Sequence, residues 1–236
     1  MAKRTVLSED PISARTWNQV GIFVGDGSQS MTLPFAEPDN PLADFLPTRT
    51  KAAAVETATR EVINLLKVSR KAANFTLGFI YFHSDVTEER PPQDVLKIAT
   101  ADSFDPTAKG TGGTRIHTGL DAAVRMIETY MRSQEHGDVP VSAVVVILSD
   151  GEDGQPEKTI AAAQRLKALP NTDVAACLFA TKGEPAAGGE LLQALASSPR
   201  LYQTVYSTQQ LRDFFHASVT MAARASASDA DTQLVA

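Results

Sequence analysis

An aspartate followed by serines at alternate positions, Asp26, Ser28 and Ser30 in "VGIFVGDGSQSM", closes an apolar run. A second aspartate, Asp150, closes the most apolar run of the chain in "VVVILSDGED", and Thr114 sits in the glycine-rich stretch "GTGGTRIHTGL". Every one of these side chains offers oxygen. None offers sulfur, and no histidine is required. Two carboxylates brought close repel, so one takes up a proton or a cation lies between them. Neutral hydroxyls beside them suit a hard cation, Mg²⁺ or Mn²⁺, rather than Zn²⁺. Mg²⁺ takes six ligands at about 2.0–2.1 Å and readily keeps waters. Three hydroxyls plus direct or water-bridged carboxylates nearly fill that shell, and an oxygen from another molecule can complete it. Two aspartates only just balance a dication, so a further carboxylate is still attracted to it.

These residues must be carried by elements that bring distant parts of the chain together. Apolar runs of strand length alternate with helical patterns. Strands are expected at 19–25, 74–84, 141–150, 172–180 and 200–207, and 86–98 reads as a hairpin leading to an edge strand that tolerates its prolines. Helices are expected over 48–70, 117–133, 156–169, 188–199 and 208–225. The first should bury Val55, Ala58, Val62, Leu65 and Leu66, the second Leu120, Val124, Ile127 and Met131, and the last Leu211, Phe214, Phe215, Val219 and Ala222. Continuous apolar strands alternating with helices indicate an α/β fold, a mostly parallel sheet covered on both faces. In such sheets ligands bind beyond the carboxyl ends of the strands, where the strand order reverses. Asp26 and Asp150 both end strands. If those strands are neighbours, their axes lie about 4.8 Å apart and the two carboxylates converge.

Asp26-x-Ser28-x-Ser30, then Thr114 in "GGT", then Asp150 in "SDGE", resembles the von Willebrand factor A family and its metal-ion-dependent adhesion site. Thr114 lies 84 residues beyond Ser30, and Asp150 36 beyond Thr114. The resemblance runs from about residue 18 to 224. It implies a doubly wound six-stranded sheet of order 3-2-1-4-5-6 with one antiparallel edge strand. It also implies a divalent ion, Mg²⁺ or Mn²⁺, held by Asp26, Ser28, Ser30, Thr114 and Asp150, with the aspartates often acting through water. The last ligand is a carboxylate from a partner protein. Gln29 stands where the family usually has glycine. It is not a ligand position, and it puts an amide beside the metal mouth. The compact form and the helix "LRDFFHASV" resemble bacterial stand-alone members of tellurite-resistance and stress-response systems, some of which have partner kinases and phosphatases.

Other functions fit less well. A net charge of −6 with scattered bases argues against nucleic acid. No segment reaches the roughly 20 apolar residues of a membrane span. "GTGGT" lacks the Gly-Lys-Ser/Thr of a phosphate loop, and "GDGSQS" is not a G-x-S-x-G nucleophile elbow. The main rival is a Mg²⁺-dependent phosphatase of haloacid-dehalogenase type, but that chemistry needs Asp-x-Asp, and Ser28 replaces the second aspartate. A scaffold with an incidental metal is a third reading. The motif positions no general base, so the chain is expected not to be an enzyme. The single cysteine, Cys177, lies in an apolar run and reads as structural. With no secretory signal evident, it points to the cytoplasm. His83, near the same rim, and His117, at a helix start, read as hydrogen-bonded or solvated. Glu152 and Asp153 are a polar loop or supports for the site. The expected layout is an N-terminal extension (1–17), one domain (18–224) and a frayed tail (225–236). The proline-rich loop 32–48 is a surface insertion or a flap that meets the partner.

Overall fold

The nine residues "NQVGIFVGD" form strand β1 (Asn18–Asp26), and all nine are buried. A strand buried on both faces must lie at the middle of a covered sheet, and β1 does. The computed structural model describes residues 17–35, 49–133, 139–183 and 187–233, with side chains of the last helix up to residue 221. Along the chain β1 is followed by β2 (Pro34–Phe35), β3 (Arg49–Thr50), α1 (Lys51–Lys67), β4 (Phe75–Phe82) and β5 (Val86–Asp94). Then come α2 (Ile116–Arg132), β6 (Val141–Ser149), α3 (Pro156–Lys167), β7 (Thr172–Phe179), α4 (Gly189–Leu195), β8 (Tyr202–Val205) and α5 (Thr208–Gln233).

The main sheet has the order β5-β4-β1-β6-β7-β8, and β2 and β3 form a separate two-stranded ribbon. Counting only the strands of the main sheet, this is the expected 3-2-1-4-5-6. β1 runs parallel to both β4 and β6. β5 is the one antiparallel strand, at the edge, where Pro91 and Pro92 interrupt no inner ladder. From β1 the chain first builds outward through β4 and β5, then returns to β6 on the other side. The strand order therefore reverses between β1 and β6, which puts a crevice beyond their carboxyl ends.

Alternation along β1 feeds two cores. Phe23 belongs to the layer beneath α1 and α5, with Val55, Val62, Phe79, Phe215 and Val219. Val20, Ile22 and Val24 belong to the opposite layer, with Leu120, Ile127 and Leu166 from α2 and α3. Phe23 stacks on Phe79 at 5.6 Å and meets Phe215 edge-on at 5.1 Å. α2 sits so close to the sheet that a Cβ on Gly119 would stand 2.7 Å from Val24 and 2.8 Å from Phe82. Only glycine permits that approach, and it brings the start of α2 near the rim. Cys177 is fully buried, and burial pushes its thiol well above the usual range. Trp17 is buried edge-on against Phe75.

Some expectations change. Leu65 is exposed, and Ile63 is buried instead. At 100° per residue Leu65 stands about 80° from Val55, at the flank of the stripe. Val124 and Met131 are only partly buried. α5 continues to Gln233, into most of the stretch expected to fray. That stretch is alanine-rich and holds no glycine or proline to end a helix. Residues 36–48 of the proline-rich loop, the side chain of Ala222 and residues 1–16 lie outside the described residues. No helix among the described residues is long and apolar enough to cross a membrane.

Candidate metal centre

Asp26 is the last residue of β1 and is fully buried. Its two oxygens are engaged separately: Oδ1 accepts from the Ser28 backbone N–H at 2.7 Å, and Oδ2 from the Ser149 hydroxyl at 2.6 Å. Burial pushes the Asp26 carboxyl up from 3.8 to about 6, and the bonds from Ser149 and Ser28 pull only partly back. After Asp26 the chain turns sharply. Gly27 N–H donates to Phe82 O at 2.6 Å, and a short 3₁₀ turn, Gln29–Thr32, begins at once. A Cβ on Gly27 would fall 2.3 Å from the Pro106 carbonyl oxygen. The tight turn aims both serines at one point, with their hydroxyl oxygens 3.0 Å apart.

From the neighbouring strand, Asp150 completes the cluster. Ser30 donates to Asp150 Oδ1 at 2.7 Å. The Lys51 ammonium, at the first position of α1, donates to Asp150 Oδ2 at 2.6 Å. This ion pair is nearly closed to solvent, with side-chain exposures of 8% for Lys51 and 1% for Asp150.

The glycine loop lies against the same turn. Gln29 N–H donates to Gly112 O at 3.0 Å, and Gly154 N–H donates to Thr114 O at 3.0 Å. The backbone at Thr114 is thus held between the loops that follow β1 and β6. His83 O accepts from Arg115 N–H, and Ser84 Oγ from Gly113 N–H at 3.0 Å, so the end of β4 supports the loop from a third side. His83 Nδ1 itself accepts from Ser84 N–H at 2.6 Å. Gln29 is exposed beside the cluster.

Five sequence-expected residues thus have clear places. Asp26, Ser28, Ser30 and Asp150 share one hydrogen-bonded cluster, and the Thr114 backbone lies alongside it. Three further residues support the cluster: Asp153, one of the two loop acids expected as supports, and Ser149 and Lys51, which the sequence does not single out. Ser149 holds Asp26. Asp153 accepts from Ile116 N–H at 3.1 Å and from the Thr159 hydroxyl, tying α2 to α3. Lys51 pairs with Asp150, and one signal pointed to it: a cation in the first turn of a helix opposes the helix dipole and needs a partner elsewhere.

The cluster fits a hard dication. Two cis ligands of an octahedral Mg²⁺ lie about 3.0 Å apart, which is the separation of the two serine hydroxyls. Each serine retains lone pairs for a metal, since Ser30 points its proton at Asp150. A buried carboxyl pushed upward, as at Asp26, gains most from a nearby positive charge. Among the described residues no three Cys, His, Asp or Glu side chains gather at one point, so a metal here would depend on the hydroxyls.

The family model for the von Willebrand factor type A domain matches residues 22–217. The chain belongs to the von Willebrand factor type A (VWA) family. No curated protein sequence is significantly similar to it. Among solved structures, this VWA domain resembles the pilus adhesin SpaC from Lactobacillus rhamnosus GG, with a TM-score of 0.67 and 13% identity over 89% of this chain and 31% of SpaC. It therefore spans about a third of that adhesin. It also resembles the VWA domain of the type V pilus tip protein Mfa5 from Porphyromonas gingivalis (TM-score 0.60, 11% identity, 91% of this chain and 97% of that one). A third neighbour is proximal thread matrix protein 1 from the mussel byssus, solved with zinc in its MIDAS motif (TM-score 0.56, 17% identity, 88% of this chain and 46% of that one). At these identities the likeness is one of fold.

Proposed function

We propose that this VWA domain is an intracellular protein-binding module. Its site holds Mg²⁺ or Mn²⁺ through Ser28, Ser30 and Thr114, with Asp26 and Asp150 behind them, and presents the ion to a carboxylate of a partner protein. The observation that carries this reading is the hydroxyl pair of Ser28 and Ser30, 3.0 Å apart and braced by Asp150 at the point where the strand order reverses. The bound ion supplies a Lewis-acidic centre for an acidic side chain. The chain's own residues do the rest. Asp26 fixes the turn through the Ser28 N–H. Asp150 accepts the Ser30 hydroxyl's hydrogen bond and so turns that hydroxyl's lone pairs outward. The glycine loop brings Thr114 alongside. Zinc in the MIDAS motif of the mussel protein supports occupancy by a divalent ion, and the pilus neighbours support a role in protein contact. The narrower reading, a member of a bacterial tellurite-resistance or stress-response system, rests on the closing helix and the compact form.

The test is capture of partners from lysate in Mg²⁺, followed by EDTA elution. A partner released by EDTA, and not captured by the Ser28→Ala/Ser30→Ala variant, is the expected result. A partner retained equally in EDTA would make the domain a scaffold with an incidental metal. Mg²⁺-stimulated phosphatase activity that is lost in Asp26→Asn would replace the binding role with an enzymatic one.

A further inference from the structure

We infer that Lys51 is a tethered internal cation that competes with the divalent ion for this site, so that the ion enters by displacing the Lys51 ammonium from Asp150. The inference rests on the proposed metal site and adds to it a residue that sets its affinity.

The positive end of a helix is an unfavourable place for an ammonium, yet Lys51 occupies the first position of α1 and is buried there. Its side chain reaches Asp150 Oδ2 at 2.6 Å in a pair almost closed to water. Asp150 Oδ1 simultaneously accepts a hydrogen bond from the Ser30 hydroxyl, so one carboxylate joins the ammonium to the hydroxyl pair. Both carboxylate oxygens are already engaged by the chain itself. A dication held by Ser28 and Ser30 would draw on the same Asp150 negative charge that pairs with Lys51. Two cations sharing one carboxylate repel, and burial strengthens that repulsion. The dication cannot leave the site and remain bound. The ammonium can move, because it ends a four-carbon stem whose root lies at the beginning of a helix on the rim. A buried ion pair also costs much when one partner is removed. Lys51 therefore holds Asp150 in place whenever the ion is away and sets a threshold concentration for the ion.

The opposite role is a Lys51 that only orients Asp150 and so supports metal binding. The two roles predict opposite signs. Mn²⁺ and Mg²⁺ are titrated calorimetrically into the full chain as wild type, Lys51→Met and Lys51→Gln, and melting is followed with and without EDTA. Competition predicts a Kd at least tenfold lower in both variants and a Tm that EDTA lowers further in the variants than in wild type. Wild-type binding with an unchanged or higher Kd in the variants overturns the inference and leaves the metal site standing. No binding by any of the three proteins removes the metal site and the inference together. If the variants do not fold, wild type still decides. Acetylation of Lys51, followed by peptide mass spectrometry, should speed up several-fold when Mn²⁺ is added, and an unchanged rate overturns displacement.

Discussion

Ser149 and Asp26 come from neighbouring strands and meet within the sheet: the Ser149 hydroxyl donates to Asp26 Oδ2 at 2.6 Å, and both side chains are fully buried. Replacing Ser149 with alanine leaves a buried carboxyl one donor short. The expected loss is roughly 1–3 kcal/mol of stability, with weaker metal binding because the turn at Ser28 loosens. Urea denaturation and Mn²⁺ titration of Ser149→Ala measure the two effects. Wild-type values in both would show that the contact is dispensable.

The Asp26 carboxyl also predicts an unusual pH dependence. Burial raises it from 3.8 to about 6. Between those values the folded protein keeps a proton that the unfolded chain has released. Its contribution to stability is full below 3.8 and is lost as the pH rises through about 6. The size is roughly 3 kcal/mol. In EDTA, wild type should therefore lose more stability than Asp26→Asn between pH 4.5 and 7, and Mg²⁺ at pH 7 should restore part of it. Parallel pH profiles for the two proteins would rule this out.

Gly27 carries the turn that joins the strand to the hydroxyl pair. A Cβ there would meet the Pro106 carbonyl oxygen at 2.3 Å, and that atom belongs to backbone that cannot rotate away. Gly27→Ala should push the 104–110 loop off the turn, separate the hydroxyls and cost about 1–3 kcal/mol. Gly151→Ala is the control, since nothing lies within 4 Å of a Cβ at that position. Equal melting temperatures and equal Mn²⁺ affinities for the two variants would contradict the close approach.

The parts legible in the sequence were those governed by local pattern. The apolar runs that became β1, β6 and β7, and the oxygen-bearing residues at their ends, could be read from spacing and type alone. The strand order came from the resemblance and not from the pattern, because nothing local to β1 says that β4 and β6 flank it. The role of Lys51 is not local either. Its partner lies 99 residues away, and a lysine at the start of a helix looks like a solvated residue until the sheet brings Asp150 beside it. Ser149 was hidden by an apolar run in which a serine reads as a tolerated small residue. Leu65 is exposed against expectation because periodicity locates a buried stripe but not where its flank ends. The end of α5 at Gln233 is not legible from periodicity, because the small polar residues there carry no apolar stripe and none of them stops a helix.

Asp153 shows how a residue outside the cluster can govern it. Its carboxylate accepts from Ile116 N–H, the first helical residue of α2, and from the Thr159 hydroxyl of α3. It thus acts as an N-cap supplied from another loop, favourable to the positive end of α2. The next contact outward is Gly154 N–H on Thr114 O, so the same loop fixes the glycine stretch. Asp153→Ala should cost about 1 kcal/mol, as a lost cap does, and should raise Kd for Mn²⁺ several-fold although Asp153 is not placed as a ligand. Amide hydrogen exchange separates this effect from general loosening. Exchange should quicken at 110–118 and stay unchanged in β1 and β6. If 110–118 exchanges as in wild type while affinity still falls, Asp153 acts on the ion through its charge and not through the loop. Asp153→Asn, which retains an acceptor for Ile116 but not the charge, would then bind as weakly as Asp153→Ala.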